Sequence, residues 1–539
     1  MTNLDWFVLT VYILLIIGMS WAIGRRQKSQ DDYYLGGRAM GSWPIALSIV
    51  ATQVSAISLI GAPAFIALKS GGGLFWLQYE FAIPLAMILV MLILVPIYHR
   101  SRSLTIYEYL EKRFGSSTRI TLSGIFLLSR GLGSGVALLA TSIVTSVCLG
   151  WTLEGTILVI GLVAIIYTTF GGIKADIYSD IIQLAVLWFG ALVMIFVLWR
   201  LLDGEAFSFL TGDSSRLMVF DLKSIGIGEG KTYGFWPMLF GTFFLYLSYY
   251  GCDQSQAQRL LATRDARHAQ KSLFYNGLLR FPLVLTYCTV GILLIPFIRT
   301  HPDFAVQLAG QKPDFLVPTF LISYMPKGLL GVFVAGIFAA SMSSLDSALN
   351  SLSAATYKDF LAKFFPSLKK LSGKQQVRAS RILTVLWGMI ATGFALRMVS
   401  GSETVVELVN KIGSAFYGPI LAVFLLGILT HRASQKGALI GLTFGVGVNL
   451  VLWTGFEAQI SWLWWNIIGF ISAFGTGYLL SFSRVRRTVD AQTDVIRIAD
   501  IKAQMGKGSF YVILGAAFVL MILVSILLQT WIQKGLFSP

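Results

Sequence analysis

Charge is what this chain has little of. Only 13% of its 539 residues are Asp, Glu, Lys or Arg, and acidic residues are the scarcer kind, 26 against 42 basic ones. Soluble domains carry about 25% charged residues, so a soluble chain of several domains is excluded. Histidine, with 4 residues, and cysteine, with 3, are rarer still. His99, His268, His301 and His431 lie in or beside loops, while Cys148, Cys252 and Cys288 lie in apolar runs without metal or redox spacing. No convergent nucleophile, base or metal set is left for an enzyme, and the thiols read as buried packing groups. A Walker-type phosphate loop is missing too, which argues against pumping by ATP.

What the chain has is apolar length. Hydrophobic residues make up 55% of it, and the mean hydropathy is +0.73. At about 20 apolar residues per crossing, the sequence predicts about fourteen spans, centred near residues 15, 55, 86, 134, 161, 188, 248, 285, 342, 388, 420, 445, 473 and 521. The first is read as a span and not a cleavable signal, since Met1-Thr2-Asn3-Leu4-Asp5 has no basic region. The net charge of +16 is distributed by loop. Basic clusters such as Arg25, Arg26 and Lys28, or Arg259, Arg264, Arg267 and Lys271, alternate with mixed loops such as Leu202–Trp236. That alternation is the positive-inside pattern. It predicts a multi-pass protein of the plasma (inner) membrane with both termini outside, surrounded by lipid and with no nucleic-acid partner. Nothing in the sequence sets an oligomeric state.

One stretch organises the rest. From Ala339 to Ser351 an apolar run is broken by hydroxyls and a carboxylate, with Ala340, Ser343, Ser344, Ser347 and Ser351 at helical spacing on one face. Asp346 and Asn350 flank the stripe. Small-residue stripes also serve close helix packing, with the hydroxyls bonded back to their own helix. A carboxylate at membrane depth, however, costs roughly 3 kcal/mol or more unless partnered. The stripe therefore reads as oxygen ligands for a small cation, most simply Na⁺.

Two predicted helices are interrupted at mid-depth. The second carries Ala51-Thr52-Gln53-Val54-Ser55-Ala56-Ile57-Ser58, followed by Gly61 and Pro63; the seventh carries Tyr249-Tyr250-Gly251-Cys252-Asp253-Gln254. Unwound backbone in a bilayer is tolerated where it lines a cavity. Five spans separate the two breaks, so two five-helix halves would be inverted copies, the arrangement of secondary transporters. The predicted fold is an all-α polytopic membrane protein with a five-plus-five inverted-repeat core. Its parts are a peripheral helix and link (1–33), a first repeat (34–201), an outer loop (202–234), a second repeat (235–432) and peripheral helices (433–539). Arg130, amid glycines on the fourth helix, reads equally as a bundle-locking ion pair or a ligand group. Asp176 reads as an interfacial, solvated carboxylate, with Asp180 one turn deeper on the same face.

Gly37-Arg38, Tyr178-Ser179-Asp180-Ile181-Ile182-Gln183, Gly251 to Arg259, Ser343 to Ser347 and Gly418-Pro419 together resemble the sodium/solute symporter family, over about Tyr34 to Arg432. The resemblance implies a LeuT-like core and Na⁺ as coupling ion. It implies a sodium site of backbone carbonyls from Ala51, Val54 and Ala340 with the hydroxyls of Ser343 and Ser344. It implies a second site of Asp180, Ser343 and Ser347, where Asp346 stands in place of a usual Ser or Thr. For the solute it implies Glu80 and Arg280, as in sugar carriers, Arg130, as in sialic acid carriers, and Tyr249. Gln53, Ser55, Ser58 and Asn410 complete the expected contacts with a small polar organic solute, whether sugar, sialic acid or another carboxylate. The expected activity is Na⁺-coupled symport by alternating access. A proton-coupled symporter using Asp180 or Asp346, and an ion channel, are the alternatives.

Overall fold

The computed structural model describes residues 1–53, 56–203, 214–228, 232–399, 405–481, 495–496, 498–505 and 508–537. The described residues are almost entirely helical, with two isolated β-bridges, Met40–Thr263 and Ile227–Ile460. The helices that matter here are α1 (Asn3–Gly24), α2 (Ser42–Gln53) and α3 (Ala56–Ala67), then α4 (Leu74–Ser101), α5 (Ser116–Leu149) and α6 (Leu153–Leu201). They continue as α7 (Thr242–Cys252), α8 (Gln254–Leu261), α9 (Ala266–Thr300) and α10 (Leu329–Phe364), followed by α11 (Gly373–Arg397) and α12 (Val405–Leu429). The last are α13 (Gln435–Gly455), α14 (Trp462–Ser481) and α15 (Phe510–Phe537).

Among the described residues, eleven helices are long and apolar enough to cross a membrane, or up to twelve if the bent pair α2–α3 is one span. The expectation of fourteen is not reproduced as such. The two segments centred near 161 and 188 fall within α6 on either side of a kink, where Gly172 leaves helical geometry with a φ of 57°, and a count by continuous helices takes them as one. The segment near 248 ends after 11 residues, because the chain goes extended at Asp253 (φ −89°, ψ 124°). Asp253 then caps α8, accepting a hydrogen bond from the backbone N–H of Ser255 at 2.8 Å.

The first interruption is a 49° bend between α2 and α3. Val54 and Ser55, at the break itself, lie outside the described residues. The four carbonyls at the end of a helix have no intrahelical partner, and near the end of α2 the Thr52 carbonyl accepts from Ser344. α10 packs against α6, α5 and α2, and α3 packs against α9. α1 is fastened to the start of α10 by one buried side chain. Asp5 caps α1 with Thr2 and also accepts from the backbone N–H groups of Gly328 (2.9 Å) and Gly331 (2.8 Å). The three cysteines are free and buried.

Candidate functional site

The two broken helices and α4, α5, α9 and α10 enclose a cavity of about 360 Å³. Of the eight residues expected to contact solute, Gln53, Ser58, Glu80, Arg130, Tyr249 and Arg280 line it. Ser55 lies outside the described residues, as does the side chain of Asn410. Glu80 and Arg280 are closed on each other, with Arg280 Nε to Glu80 Oε2 at 3.0 Å and Nη2 to Oε1 at 3.3 Å. The Tyr246 hydroxyl adds a 3.5 Å bond to the same carboxylate. Arg130 is different. Its guanidinium carbon sits 5.9 Å from the Tyr249 ring centroid, and its Nε has no partner among the described residues. Of the two roles open to Arg130, the bundle-locking ion pair is not formed among the described residues, and neither Glu80 nor Asp253 bridges to it.

Beside the cavity, α10 turns its hydroxyl stripe toward the end of α2. Ser344 donates to the Thr52 carbonyl at 3.4 Å, and Thr52 donates to the Ser48 carbonyl at 2.8 Å. Thr52 and Ser344 both also line the cavity, so solute and cation regions share a wall. Ala51 and Ala340 are buried there, and Ser343 donates to Asp180. Thr52 was not singled out from the sequence, although its place in the polar patch of the second helix is the signal that could have done so. Ser351 bonds back to the carbonyls of Ser347 and Ala348, both at 2.9 Å, so the far end of the stripe serves its own helix.

The second predicted cation region is richer than the sequence suggested. Oxygens of Asp176, Asp180 and Asp346 all lie within 4.8 Å of one another, and all three side chains are buried. Asp176, read as a solvated interfacial group, is 2% exposed. Its partner is Arg259, which reads in the sequence as one of a run of basic loop residues and is 1% exposed in the fold. Arg259 Nη2 lies 2.9 Å from Asp176 Oδ2 and 3.0 Å from Asp180 Oδ2, and it also donates to Ser347. Nε donates to Ser48 at 2.7 Å and Nη1 to the Ser255 carbonyl at 2.9 Å. Asp346 does not pair with the arginine. It accepts from the Tyr167 hydroxyl and, at 2.7 Å, from the backbone N–H of Ser347. Three carboxylates thus face one guanidinium. Buried charge must be matched, and among the described residues Arg259 is the one cation paired with this cluster.

A bundle of apolar helices with a central cavity, a bent helix pair at its wall and a buried hydroxyl-and-carboxylate cluster beside it has the architecture of a secondary transporter. The sodium:solute symporter family model matches residues 33–445, and the chain belongs to that family. It is similar to the sodium-coupled monocarboxylate transporter 2 of Bos taurus, 31% identical over 452 residues, 82% of this chain and 70% of the relative. It is also similar to a putative sodium-dependent multivitamin transporter of Drosophila melanogaster, 26% identical over 539 aligned residues, 89% of this chain and 86% of the relative. Among solved structures, the substrate-bound outward-open state of a Na⁺-coupled sialic acid symporter shares the fold. The TM-score is 0.80 at 24% identity, covering 90% of this chain and 98% of that one. The protein is a multi-pass, sodium-coupled symporter of a small organic solute, and not an enzyme.

Proposed function

We propose that the chain carries a small carboxylate anion into the cell together with Na⁺, and that Arg130 holds the carboxylate. The observation that carries this is the uncommitted guanidinium. Three cationic side chains, Lys69, Arg130 and Arg280, line the cavity against two carboxylates, Glu80 and Asp314, which leaves one positive charge in excess. Glu80 is closed on Arg280, and Arg130 has no carboxylate partner among the described residues. A guanidinium meets a carboxylate with two parallel hydrogen bonds, and the Tyr249 ring supports its other face. The names of the relatives, for monocarboxylates and sialic acid, point the same way.

Na⁺ would sit against the end of α2, held by the carbonyls of Ala51, Val54 and Ala340 and by the hydroxyls of Ser343 and Ser344. A second Na⁺ would use Asp180, Asp346, Ser343 and Ser347, of which Asp180 is also an ion-pair partner of Arg259. Coupling follows because each ligand completes a wall of the other's pocket, so each favours the same state of the bundle. We place the protein in the plasma membrane with both termini outside, on the strength of its alternating basic loops. Uptake of labelled lactate, nicotinate and N-acetylneuraminate into proteoliposomes, driven by a Na⁺ gradient, tests the reading. At least one should accumulate with Na⁺ and not with K⁺. Accumulation driven equally by a pH gradient with Na⁺ absent, or uptake of neutral sugars alone, overturns it.

A further inference from the structure

The tip of Arg259 stands where a cation would. Two of its nitrogens are anchored to neutral groups, Nε to the Ser48 hydroxyl of α2 at 2.7 Å and Nη1 to the Ser255 carbonyl of α8 at 2.9 Å. The third nitrogen, Nη2, projects into the carboxylate cluster. Three oxygens converge on it: Asp176 Oδ2 at 2.9 Å, Asp180 Oδ2 at 3.0 Å and the Ser347 hydroxyl. Ser347 spends its own proton on the Ser343 carbonyl at 2.6 Å, so its oxygen is there to accept. An Nη2 has two N–H groups to give, and more acceptors are gathered around it than it has hydrogens. Oxygens that converge beyond what directional donors can satisfy suit a point cation.

Two of the four groups assigned to the second Na⁺, Asp180 and Ser347, are therefore held by Nη2. The other two are not. Ser343 donates to Asp180, and Asp346 accepts from Tyr167 and from the backbone N–H of Ser347. All four stand on α6 and α10, whereas Arg259 and its anchor Ser48 stand on the broken helices, α8 and α2. Asp176, which is outside the four, is a partner the arginine can keep.

Resting on the second-site reading above, we infer that Arg259 is a tethered cation that holds this site while Na⁺ is absent, and that Na⁺ enters by displacing Nη2 from Asp180 and Ser347. The two positive charges cannot share those oxygens, because like charges that close repel strongly in a buried setting. The displaced arginine retains Asp176, Ser48 and Ser255. Its withdrawal cuts a tie between the broken helices and α6–α10, so the second Na⁺ acts by releasing a latch. When that Na⁺ leaves, the guanidinium restores both the latch and the charge balance.

Binding of radioactive Na⁺ to the purified full-length protein, with solute left out, tests this in the wild type, Arg259→Gln and Arg259→Lys, each with and without Asp180→Asn. Lysine keeps the charge, but its single ammonium cannot span Ser48 and the cluster together. Both variants should show a second class of Na⁺ binding at least about tenfold tighter than in the wild type, the value of one charge-assisted hydrogen bond. Asp180→Asn should abolish that class. Tightening in Arg259→Gln alone overturns the inference, since repulsion at a distance and not occupancy of the site would then be at work. Unchanged affinity in both overturns it as well, since arginine and Na⁺ would then sit side by side. In either case the second-site reading stands. A second class that is absent from every protein, or that survives Asp180→Asn, overturns the second-site reading and this inference with it. Should Arg259→Gln fail to fold, Arg259→Lys decides alone, tightening supporting the inference and unchanged affinity overturning it.

Discussion

Arg259 and Arg130 stand in the same apolar bundle and are used in opposite ways. Arg259 meets two carboxylates, two hydroxyls and a backbone carbonyl. Arg130 meets the face of a tyrosine, and no carboxylate among the described residues. The first is part of the fold's own charge balance. The second is a charge held ready in a cavity. A guanidinium's free donors mark a ligand site better than its presence at membrane depth does, because a satisfied arginine has nothing left to offer. The same distinction separates Arg280, mostly closed on Glu80, from Arg130 within a single cavity.

Substitutions sharpen this contrast. Arg259→Met removes the one cation paired with the Asp176, Asp180 and Asp346 cluster among the described residues, and leaving buried carboxylates uncompensated should cost about 3–5 kcal/mol. The expected result is a large fall in the melting midpoint of the purified protein, partly recovered in Arg259→Lys. If the midpoint hardly moves, the cluster is already balanced by something other than the arginine. Arg130→Gln should do the reverse. With no ion pair to break it should change stability by less than about 1 kcal/mol. Carboxylate affinity should fall by about 2–3 kcal/mol, on the order of a hundredfold, as read by titration at fixed Na⁺. A destabilised Arg130→Gln protein would make the two arginines alike and cancel the comparison.

A smaller effect divides the serine stripe. Ser343→Ala and Ser344→Ala each delete one oxygen of the predicted sodium site, at about 1 kcal/mol or roughly fivefold in the Na⁺ concentration for half-maximal uptake. Ser343→Ala should exceed Ser344→Ala, since Ser343 also donates to Asp180. Ser351→Ala should leave the Na⁺ dependence unchanged, because that hydroxyl bonds only to its own helix. Equal responses from Ser344→Ala and Ser351→Ala would reduce the whole stripe to packing.

Much of the fold was legible because membrane helices announce themselves by apolar length, and the stripe because its spacing sets hydroxyls on one face of an apolar run. The breaks in α2–α3 and α7–α8 were legible because small and polar residues interrupt that run. What sequence spacing does not carry is which charge meets which. Asp176 and Arg259 are 83 residues apart and Glu80 and Arg280 are 200 apart, so nothing local distinguishes Arg259 from the basic residues that follow it. Its position three residues before the start of a loop invites the wrong reading. The helix count turns on a related point. The kink at Gly172 joins the segments near 161 and 188 with no loop between them, so counting continuous helices gives one where counting apolar length gives two.

That glycine sets more than a count. Gly172 has a positive φ, and a Cβ placed there would stand 2.5 Å from the carbonyl oxygen of Tyr33. The stretch of α6 before it delivers Tyr167 to Asp346, and the stretch after it delivers Asp176 and Asp180 to Arg259. It acts like the pin of a pair of tongs, fixing the angle at which the two stretches on either side of it close like jaws on the same carboxylate cluster. The geometry of the chemistry is therefore tuned from a residue that has no chemistry, and a screen for altered ion coupling confined to the side chains of the pocket would miss the place where the jaws are aligned.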